Sequence, residues 1–168
     1  SVIGDGGVAG NIGQATNAAG NLVFNGGTLR YTGATASTNR NFTISANKTA
    51  TIEVTGAANT LTVSGVSTAT NGSLTKSGAG TLLLSGTNLY TGATNVNAGT
   101  LRVDGSIALS NLTTVQTSGT LSGSGTTGNL TIANGGTLSP GSSPGTLTTS
   151  GNATYAGGGT YTWEINKA

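Results

Sequence analysis

The sequence has 168 residues, which suits one ordinary domain or one segment of a longer protein. Charged residues make up 6% of it, and the six basic residues are scattered, so no patch of the kind that nucleic-acid binders carry is present. Cys and His are absent, which excludes disulfides, zinc–thiolate sites, thiol nucleophiles and the usual general base near neutral pH.

Apolar residues recur along the chain in pairs separated by one residue, and Gly or Asn stands near the ends of most pairs. This period-two alternation predicts short strands with one buried face. In chain order the pairs are Leu29/Tyr31, Phe42/Ile44, Ile52/Val54, Leu61/Val63, Leu82/Leu84, Leu101/Val103, Leu130/Ile132 and Tyr161/Trp163/Ile165. No stretch predicts a helix, because the spacing is wrong and each Gly would cost a helix about 1 kcal/mol relative to Ala.

The phrase Gly-Thr-Leu runs through the sequence. It occupies residues 27–29, 80–82, 99–101, 119–121, 136–138 and 145–147, with near-copies at 59–61 and 159–161. From Thr60 to Thr81, Thr100 and Thr120 the steps are about 20 residues, a spacing typical of stacked repeats. We therefore predict that each copy begins a strand that lays one coil upon the last.

Two all-β folds use short strands and many turns. A β-sandwich usually shows longer strands, a larger aromatic core and hairpin dipeptides at regular intervals. A parallel β-helix needs only two or three short strands in each coil, paired with the coil below. We predict a parallel β-helix (solenoid) of roughly eight short coils, given the strand spacing in sheets.

Residues 74–103 contain the motifs Gly80-Thr81-Leu82, Leu84-Ser85-Gly86, Tyr90-Thr91-Gly92 and Gly99-Thr100-Leu101. With these motifs they resemble the passenger-associated transport repeat of bacterial autotransporters. The sequence departs from that repeat at Leu89, where Thr is usual, and at Ala93, where a second Gly is common. The matching positions that we predict to form the structural motif are Gly78, Gly80, Thr81, Leu82, Leu84, Gly86, Asn88, Tyr90, Gly92, Gly99, Thr100 and Leu101.

The resemblance implies a right-handed β-helix that is exported across the outer membrane to the bacterial cell surface, or secreted. It also implies a C-terminal β-barrel translocator in the same polypeptide, outside this chain, and a contribution to secretion. We therefore expect residues 1–168 to be a single β-helix segment of a larger passenger, acting as a stalk and an aid to export. The alternative is an adhesin or biofilm module whose exposed Thr/Asn faces bind glycan, protein or further copies.

Catalytic residues are few. The carboxylates are Asp5, Glu53, Asp104 and Glu164. Stacking alone would separate Glu53 from Asp104 by roughly 12 Å, whereas a glycosidase pair needs about 5 to 9.5 Å. The G-x-G-x-x-G match at 123–128 is followed by a strand and a turn where a dinucleotide site needs a helix. We predict no enzyme, no cofactor and no metal site.

Two further predictions concern the ends and the membrane. Tyr161, Trp163 and Ile165 are expected to form a bulkier core layer, with an exposed aromatic patch as the alternative. The terminal coils expose open strand edges, which could support self-association. The longest apolar runs, such as residues 82–84, are far too short to span a membrane.

Overall fold

The computed structural model describes residues 3–141 and 145–163. A turn of 3₁₀ helix, Ala19–Asn21, precedes the strands. In chain order the strands are β1 Val23–Phe24, β2 Thr28–Tyr31, β3 Ala36–Thr38, β4 Thr43–Ile44, β5 Thr49–Val54, β6 Thr60–Val63, β7 Ser73–Ser77, β8 Thr81–Leu84, β9 Thr94–Val96, β10 Gly99–Val103, β11 Ser106–Ile107, β12 Thr113–Val115, β13 Gly119–Gly123, β14 Thr126–Thr127, β15 Leu130–Ile132, β16 Thr137–Pro140, β17 Thr148–Thr149, β18 Ala153–Tyr155 and β19 Thr160–Tyr161.

The strands wind into a three-sided parallel solenoid. Sheet I has the order β2-β5-β7-β9-β12-β15-β18, and sheet II has the order β3-β6-β8-β10-β13-β16-β19. The third side is made of shorter pieces, β1-β4 and β11-β14-β17. The prediction of an all-β parallel solenoid is confirmed, with about seven turns where the sequence suggested roughly eight.

The strand register fixes the length of each coil. In sheet I, Thr51 pairs with Thr75, 24 residues later, whereas Thr114 pairs with Thr131, 17 residues later. The difference is absorbed at the corners between sheets, where Gly and Asn tolerate turn conformations. This explains why the repeat in the sequence is loose although the stacking of strands is regular.

Most copies of Gly-Thr-Leu occupy one place in the fold. Six threonines form a continuous row along sheet II, each paired with its neighbour: Thr60, Thr81, Thr100, Thr120, Thr137 and Thr160. The copy at 27–29 instead enters β2 in sheet I, and residues 145–147 form no strand. The prediction for the last copy was wrong because Leu138 already occupies the place of that coil in sheet II.

A column of leucines lies behind sheet II. Leu61, Leu82, Leu101 and Leu121 are paired in register and completely buried. Burying a leucine side chain contributes about 1.5–3 kcal/mol relative to leaving it in water. The core is therefore a stack of identical side chains, which explains how a chain with few large apolar residues can fold.

Residues 3–21 pack on the first coil, and we call them the N-terminal cap. Ile3 is buried in the same core as the strands. Arg40, at the corner after β3, is 1% exposed and connects the N-terminal cap to the first coil by hydrogen bonds. Its guanidinium donates hydrogen bonds to the carbonyl oxygens of Gly4, Asp5, Gly13 and Ala15, at distances of 2.7–3.3 Å.

The last strands of the described solenoid are β18 and β19. Tyr161 is 50% exposed and Trp163 is 65% exposed, so the prediction of a buried aromatic layer was wrong for these two residues. Tyr161 does pair with Leu138 at the end of the leucine column, but no further coil covers it in the described part of the chain. Glu164 and Ile165 lie outside the described residues.

Candidate functional site

The twelve motif residues predicted from the sequence lie on two consecutive coils. Thr81, Leu82 and Leu84 belong to β8, and Thr81 and Leu82 pair with Thr100 and Leu101 of β10. The leucines point into the core and the threonines point outward. The two Gly-Thr-Leu copies are thus one structural position, repeated a coil apart.

Gly86 belongs to a column of glycines at the corner between sheet II and the third side. A Cβ atom on Gly86 would clash with the carbonyl oxygen of Gly65 in the coil before, and one on Gly105 would clash with that of Gly86. The successive backbones approach too closely for any side chain. Glycine is required here by the tight stacking of coils.

Asn88 and Ser67 connect two successive coils by hydrogen bonds on the third side of the solenoid. Asn88 is 1% exposed; its Oδ1 accepts a hydrogen bond from the Ser67 N–H, and its Nδ2 donates to the Gly86 carbonyl. Ser67 Oγ in turn accepts from the N–H groups of Leu89 and Tyr90. These side chains satisfy backbone groups that have no strand partner, because the third side lacks continuous strands here.

Tyr90 leads into a chain of buried hydroxyl groups. Its OH lies 2.8 Å from Thr94 Oγ1, which lies 2.9 Å from Ser110 Oγ, and Ser110 donates to the Gly92 carbonyl. Burial raises the pKa of Tyr90, more than the Thr94 hydrogen bond lowers it. Thr113 lies directly above Thr94 in sheet I, and its buried Oγ1 has no hydrogen-bond partner.

Lys76 lies at an inward-facing position of β7, between Ile52 and Val96 in the sheet register. The residue is completely buried. Its Nζ reaches the corner and donates to the carbonyl oxygens of Ser77, Gly78 and Ala98, at 2.7, 2.8 and 3.1 Å. Burial lowers the pKa of Lys76 to about 8, an effect that the nearby Glu53 carboxylate opposes.

The strand–corner–strand unit just described matches a known family. Residues 74–103 match the family described as passenger-associated-transport-repeat. These residues are therefore similar to passenger-associated transport repeats. The prediction drawn from Gly-Thr-Leu and the surrounding motif is confirmed. The matched residues run from the buried Leu74 in β7 to Val103 at the end of β10.

A longer relative extends the similarity beyond the repeat. The chain is 42% identical over 114 residues to Adhesin BmaC autotransporter of Brucella suis biovar 1 (strain 1330). The alignment covers 64% of this chain and 3% of the relative, so the chain spans a very small part of that protein. No solved structure matches the chain.

The carboxylates near the passenger-associated repeat serve as ion-pair partners. Glu53 lies 3.4 Å from Arg30 on the outside of sheet I. Asp104, at the end of β10 in sheet II, lies 2.8 Å from Arg102. The two carboxylates thus lie on different sides of the solenoid, Glu53 in β5 of sheet I and Asp104 directly after β10 of sheet II. Within residues 3–141 and 145–163, no group of three or more potential metal-ligating side chains occurs.

Two hollows lie on the surface formed by the described residues. The cleft between the N-terminal cap and β2 has a volume of about 100 Å³, whereas ligand pockets usually have about 300–1,000 Å³. A second hollow, lined by Leu109, Asn111 and Asn129, has a volume of about 400 Å³ but lies largely open to solvent. The fold and the repeat support a structural role for this segment.

The basic residues form no patch in the described part of the chain. Arg40 and Lys76 are buried, and Arg30 and Arg102 are ion-paired. Lys48 is exposed on its own. No helix among the described residues has the length and apolar character needed to cross a membrane.

The sequence reasoning missed the two buried cations. Lys76 follows Leu74 at a spacing of two, and Leu74 faces the core, so the alternation itself placed Lys76 inside. Arg40 gave no such signal, because it lies at a corner and its acceptors are 25 to 36 residues away in the sequence.

Proposed function

We propose that this chain is a non-enzymatic β-helical segment of an autotransporter passenger, which promotes secretion by folding at the outer surface and acts as a structural stalk. The coil-to-coil register supports this most directly. β8 pairs with β6 on one side and with β10 on the other. Each coil therefore presents a ready template to the next coil that arrives.

The physical argument concerns the source of free energy. The outer membrane has no ATP supply, so outward movement must be coupled to another favourable process. Solenoid coils contact only their neighbours, and folding can therefore propagate coil by coil. A chain with 6% charged residues and no cysteine also has little that would hinder passage in an unfolded state.

The similarity to an autotransporter adhesin implies export to the bacterial cell surface across the outer membrane. We also propose, from the same similarity, a C-terminal β-barrel translocator in the same polypeptide. Residues 1–168 would then be one β-helix segment of a larger passenger, with residues 74–103 as its passenger-associated repeat.

The register allows a deletion test that keeps the solenoid intact. Removing residues 75–94 from the larger passenger joins Leu74 to Asn95, which is the sheet partner of Thr75. One whole coil of the repeat is lost, and Thr100 takes the place of Thr81 above Thr60. The matched control removes residues 114–130, one whole coil outside the repeat, because Thr114 pairs with Thr131.

Surface-exposed and periplasmic passenger are then quantified for both deletions. We expect the loss of residues 75–94 to reduce the exposed fraction more than the loss of 114–130. Equal export of both variants and the parent would contradict a secretion role for the repeat. Adhesion per exposed molecule is measured in the same cells, because it distinguishes a defect in binding from a defect in export.

The threonine rows favour a second candidate, an adhesive or self-associating surface. Thr60, Thr81, Thr100, Thr120 and Thr137 place hydroxyl groups at one-coil intervals along the outside of sheet II. Such a row could bind glycan or protein, and the terminal coils could bind further copies. Replacing Thr81, Thr100 and Thr120 together with Val should then reduce adhesion per exposed molecule without changing export.

A further inference from the structure

Asparagine followed by glycine is the dipeptide in which asparagine deamidates most readily. The backbone nitrogen of the following residue attacks the side-chain carbonyl carbon, and glycine has no Cβ that would hinder this approach. The sequence contains three such dipeptides, Asn25-Gly26, Asn71-Gly72 and Asn134-Gly135. Each pairs Asn with Gly, so the fold decides which of them reacts.

Asn71-Gly72 is held on both sides of the bond that would have to form. The Oδ1 of Asn71 accepts a hydrogen bond from the Asn47 N–H, and its Nδ2 donates to Asn47 Oδ1, both at 2.8 Å. The buried Gly72 donates its N–H to Thr70 Oγ1 at 3.2 Å, and its carbonyl accepts from the Gly92 N–H in the next coil. Deamidation would require these hydrogen bonds to break first.

Asn134-Gly135 is held through its backbone. The Gly135 N–H donates to the Gly158 carbonyl at 3.0 Å, and the Gly135 carbonyl accepts from the Ser118 N–H. The Asn134 carbonyl accepts from Thr117 Oγ1 at 2.7 Å. The nitrogen that would attack is therefore fixed by a hydrogen bond to the next coil.

Asn25-Gly26 lacks both kinds of restraint. The dipeptide lies at the corner between β1 and β2, and both residues are exposed. Among the described residues, neither the Asn25 side chain nor the Gly26 N–H has a hydrogen-bond partner. The attacking nitrogen and the carbonyl carbon are therefore free to approach each other.

The cause is a mismatch between the corners of two successive coils. Phe24 pairs with Ile44, and Thr28 pairs with Thr51. Four residues lead from Phe24 to Thr28, whereas seven lead from Ile44 to Thr51. The longer corner cannot follow the shorter one residue by residue, so the backbone hydrogen bonds between the coils are interrupted at the dipeptide. The interruption lies between two described coils, on the side of the solenoid.

We propose that Asn25 is a site of spontaneous covalent modification in the folded protein. The Gly26 backbone nitrogen bonds to Asn25 Cγ, and the bond from Cγ to Nδ2 breaks. The amide proton of Gly26 leaves with Nδ2 as ammonia, which gives a cyclic succinimide. Water then opens the ring at either carbonyl and yields aspartate or isoaspartate at position 25. The reaction needs only water and changes no oxidation state.

The surroundings of Asn25 suit either product. A Cβ on Gly26 would lie 3.7 Å from Lys48 Cδ, so the new carboxylate forms near an exposed lysine side chain. Isoaspartate adds a methylene to the backbone at a corner whose length already differs between coils. The solenoid should therefore persist while the chain gains a negative charge. This inference is independent of the proposed function.

Peptide mapping by mass spectrometry, after incubation of the 168-residue chain at mildly alkaline pH, tests the proposal. In the folded chain, Asn25 should convert at least about tenfold faster than Asn71 and Asn134, because those two sites must first lose hydrogen bonds by local opening. In guanidinium chloride, where the fold is lost, all three should convert at comparable rates. Isoelectric focusing should show a new acidic species for the wild-type chain and for the matched control Asn134→Gln, and none for Asn25→Gln.

Asn47→Gly tests the protection of Asn71 directly. The φ of Asn47 is 58°, which glycine adopts without strain, and the substitution removes the acceptor of Asn71 Nδ2. Conversion of Asn71 should then accelerate several-fold while that of Asn25 stays unchanged. An unchanged rate at Asn71 would show that this pair gives no protection and would contradict the argument from restraint.

The remaining outcomes also decide the matter. Equal rates at the three sites in the folded chain, or a faster rate at Asn71 or Asn134, would overturn the proposal. An unmodified Asn25 in the folded chain, at a time when the unfolded chain has reacted, would do the same. Loss of the circular dichroism of the solenoid as Asn25 converts would show that the corner does not tolerate the product.

Discussion

The ammonium group of Lys76 donates a hydrogen bond to the carbonyl oxygen of Ala98 in the next coil, at 3.1 Å. Its other acceptors are the carbonyl oxygens of Ser77 and Gly78, in its own coil. An ammonium has three donors, and here each has an acceptor. Lys76 therefore links two coils of the passenger-associated repeat from inside the core.

Replacing Lys76 with Met should destabilise the solenoid, although Met suits the surrounding core. The substitution leaves the carbonyl oxygens of Ser77, Gly78 and Ala98 without their donor, at a cost of about 1–3 kcal/mol in the free energy of unfolding. Urea denaturation at neutral pH measures the difference. Lys48→Met, at an exposed position, is the control and should change stability by less than about 0.5 kcal/mol.

Lys76 also predicts a pH dependence. Its pKa is lowered to about 8 in the folded state by burial, from 10.5 in the unfolded chain. Between these values the unfolded state binds more protons, so the contribution of this group to stability rises with pH. Relative to Lys76→Met, the wild-type chain should gain stability between pH 8 and 10. A constant difference across this range would contradict the lowered pKa.

Tyr90 gives the opposite pH dependence in the wild-type chain and in Lys76→Met alike, and its contribution therefore cancels in their difference. Burial raises the pKa of Tyr90 above the ordinary value of 10.0, so the unfolded chain loses the tyrosine proton first. Above pH 10 the unfolded state therefore binds fewer protons at this group, and stability falls with pH. The two groups act in opposite directions, and urea titrations at closely spaced pH values separate them.

The glycine column predicts a position-dependent effect of adding one methyl group. Gly86→Ala would place its Cβ against the Gly65 carbonyl in the coil before, so the coils must move apart. Overpacking of this kind costs about 1–3 kcal/mol. Gly27→Ala is the control, since a Cβ there has no atom within 4 Å. Equal thermal midpoints for the two variants would show that the corner can relax.

The stacked pair Thr94 and Thr113 predicts opposite effects of one substitution. Thr94 Oγ1 contacts the hydroxyls of Tyr90 and Ser110, whereas the buried Thr113 Oγ1 has no partner. Thr94→Val should cost about 1–3 kcal/mol because its hydroxyl partners lose a bond, and Thr113→Val should stabilise the chain by about 1 kcal/mol. Denaturation of both variants under the same conditions measures the two changes in the free energy of unfolding. Changes of the same sign would contradict the hydrogen-bond assignment of these two hydroxyl groups.

Arg40 predicts a local effect at the N-terminal cap. Arg40→Ala removes the donors to the cap carbonyls of Gly4, Asp5, Gly13 and Ala15. Amide hydrogen exchange should accelerate at least tenfold in residues 3–21 and stay unchanged in β8 and β10. Arg30→Ala, at the exposed ion pair with Glu53, is the control and should leave exchange in the cap unaltered. Uniform acceleration along the solenoid would mean that Arg40 supports the whole fold.

The sequence predicted the solenoid well because its signals are local. Alternation of apolar and polar residues placed Leu82 and Leu84 inside, and the repeat spacing of about 20 residues placed Leu101 above Leu82. The same reasoning failed at residues 145–147, where the phrase is present but Leu138 already fills the position. It also failed at Tyr161, whose inward direction was right but which no later described coil covers.

The sequence by itself determined the parallel stacking of short strands and the similarity of residues 74–103 to the passenger-associated transport repeat. These follow from periodicity and residue type, which act over a few residues and repeat in each coil. Only the tertiary structure decided that Lys76 and Arg40 are buried cations and that the buried Thr113 Oγ1 lacks a hydrogen-bond partner. Each of these features depends on groups that belong to other coils. The positions of those groups in space are set by the number of residues in each corner.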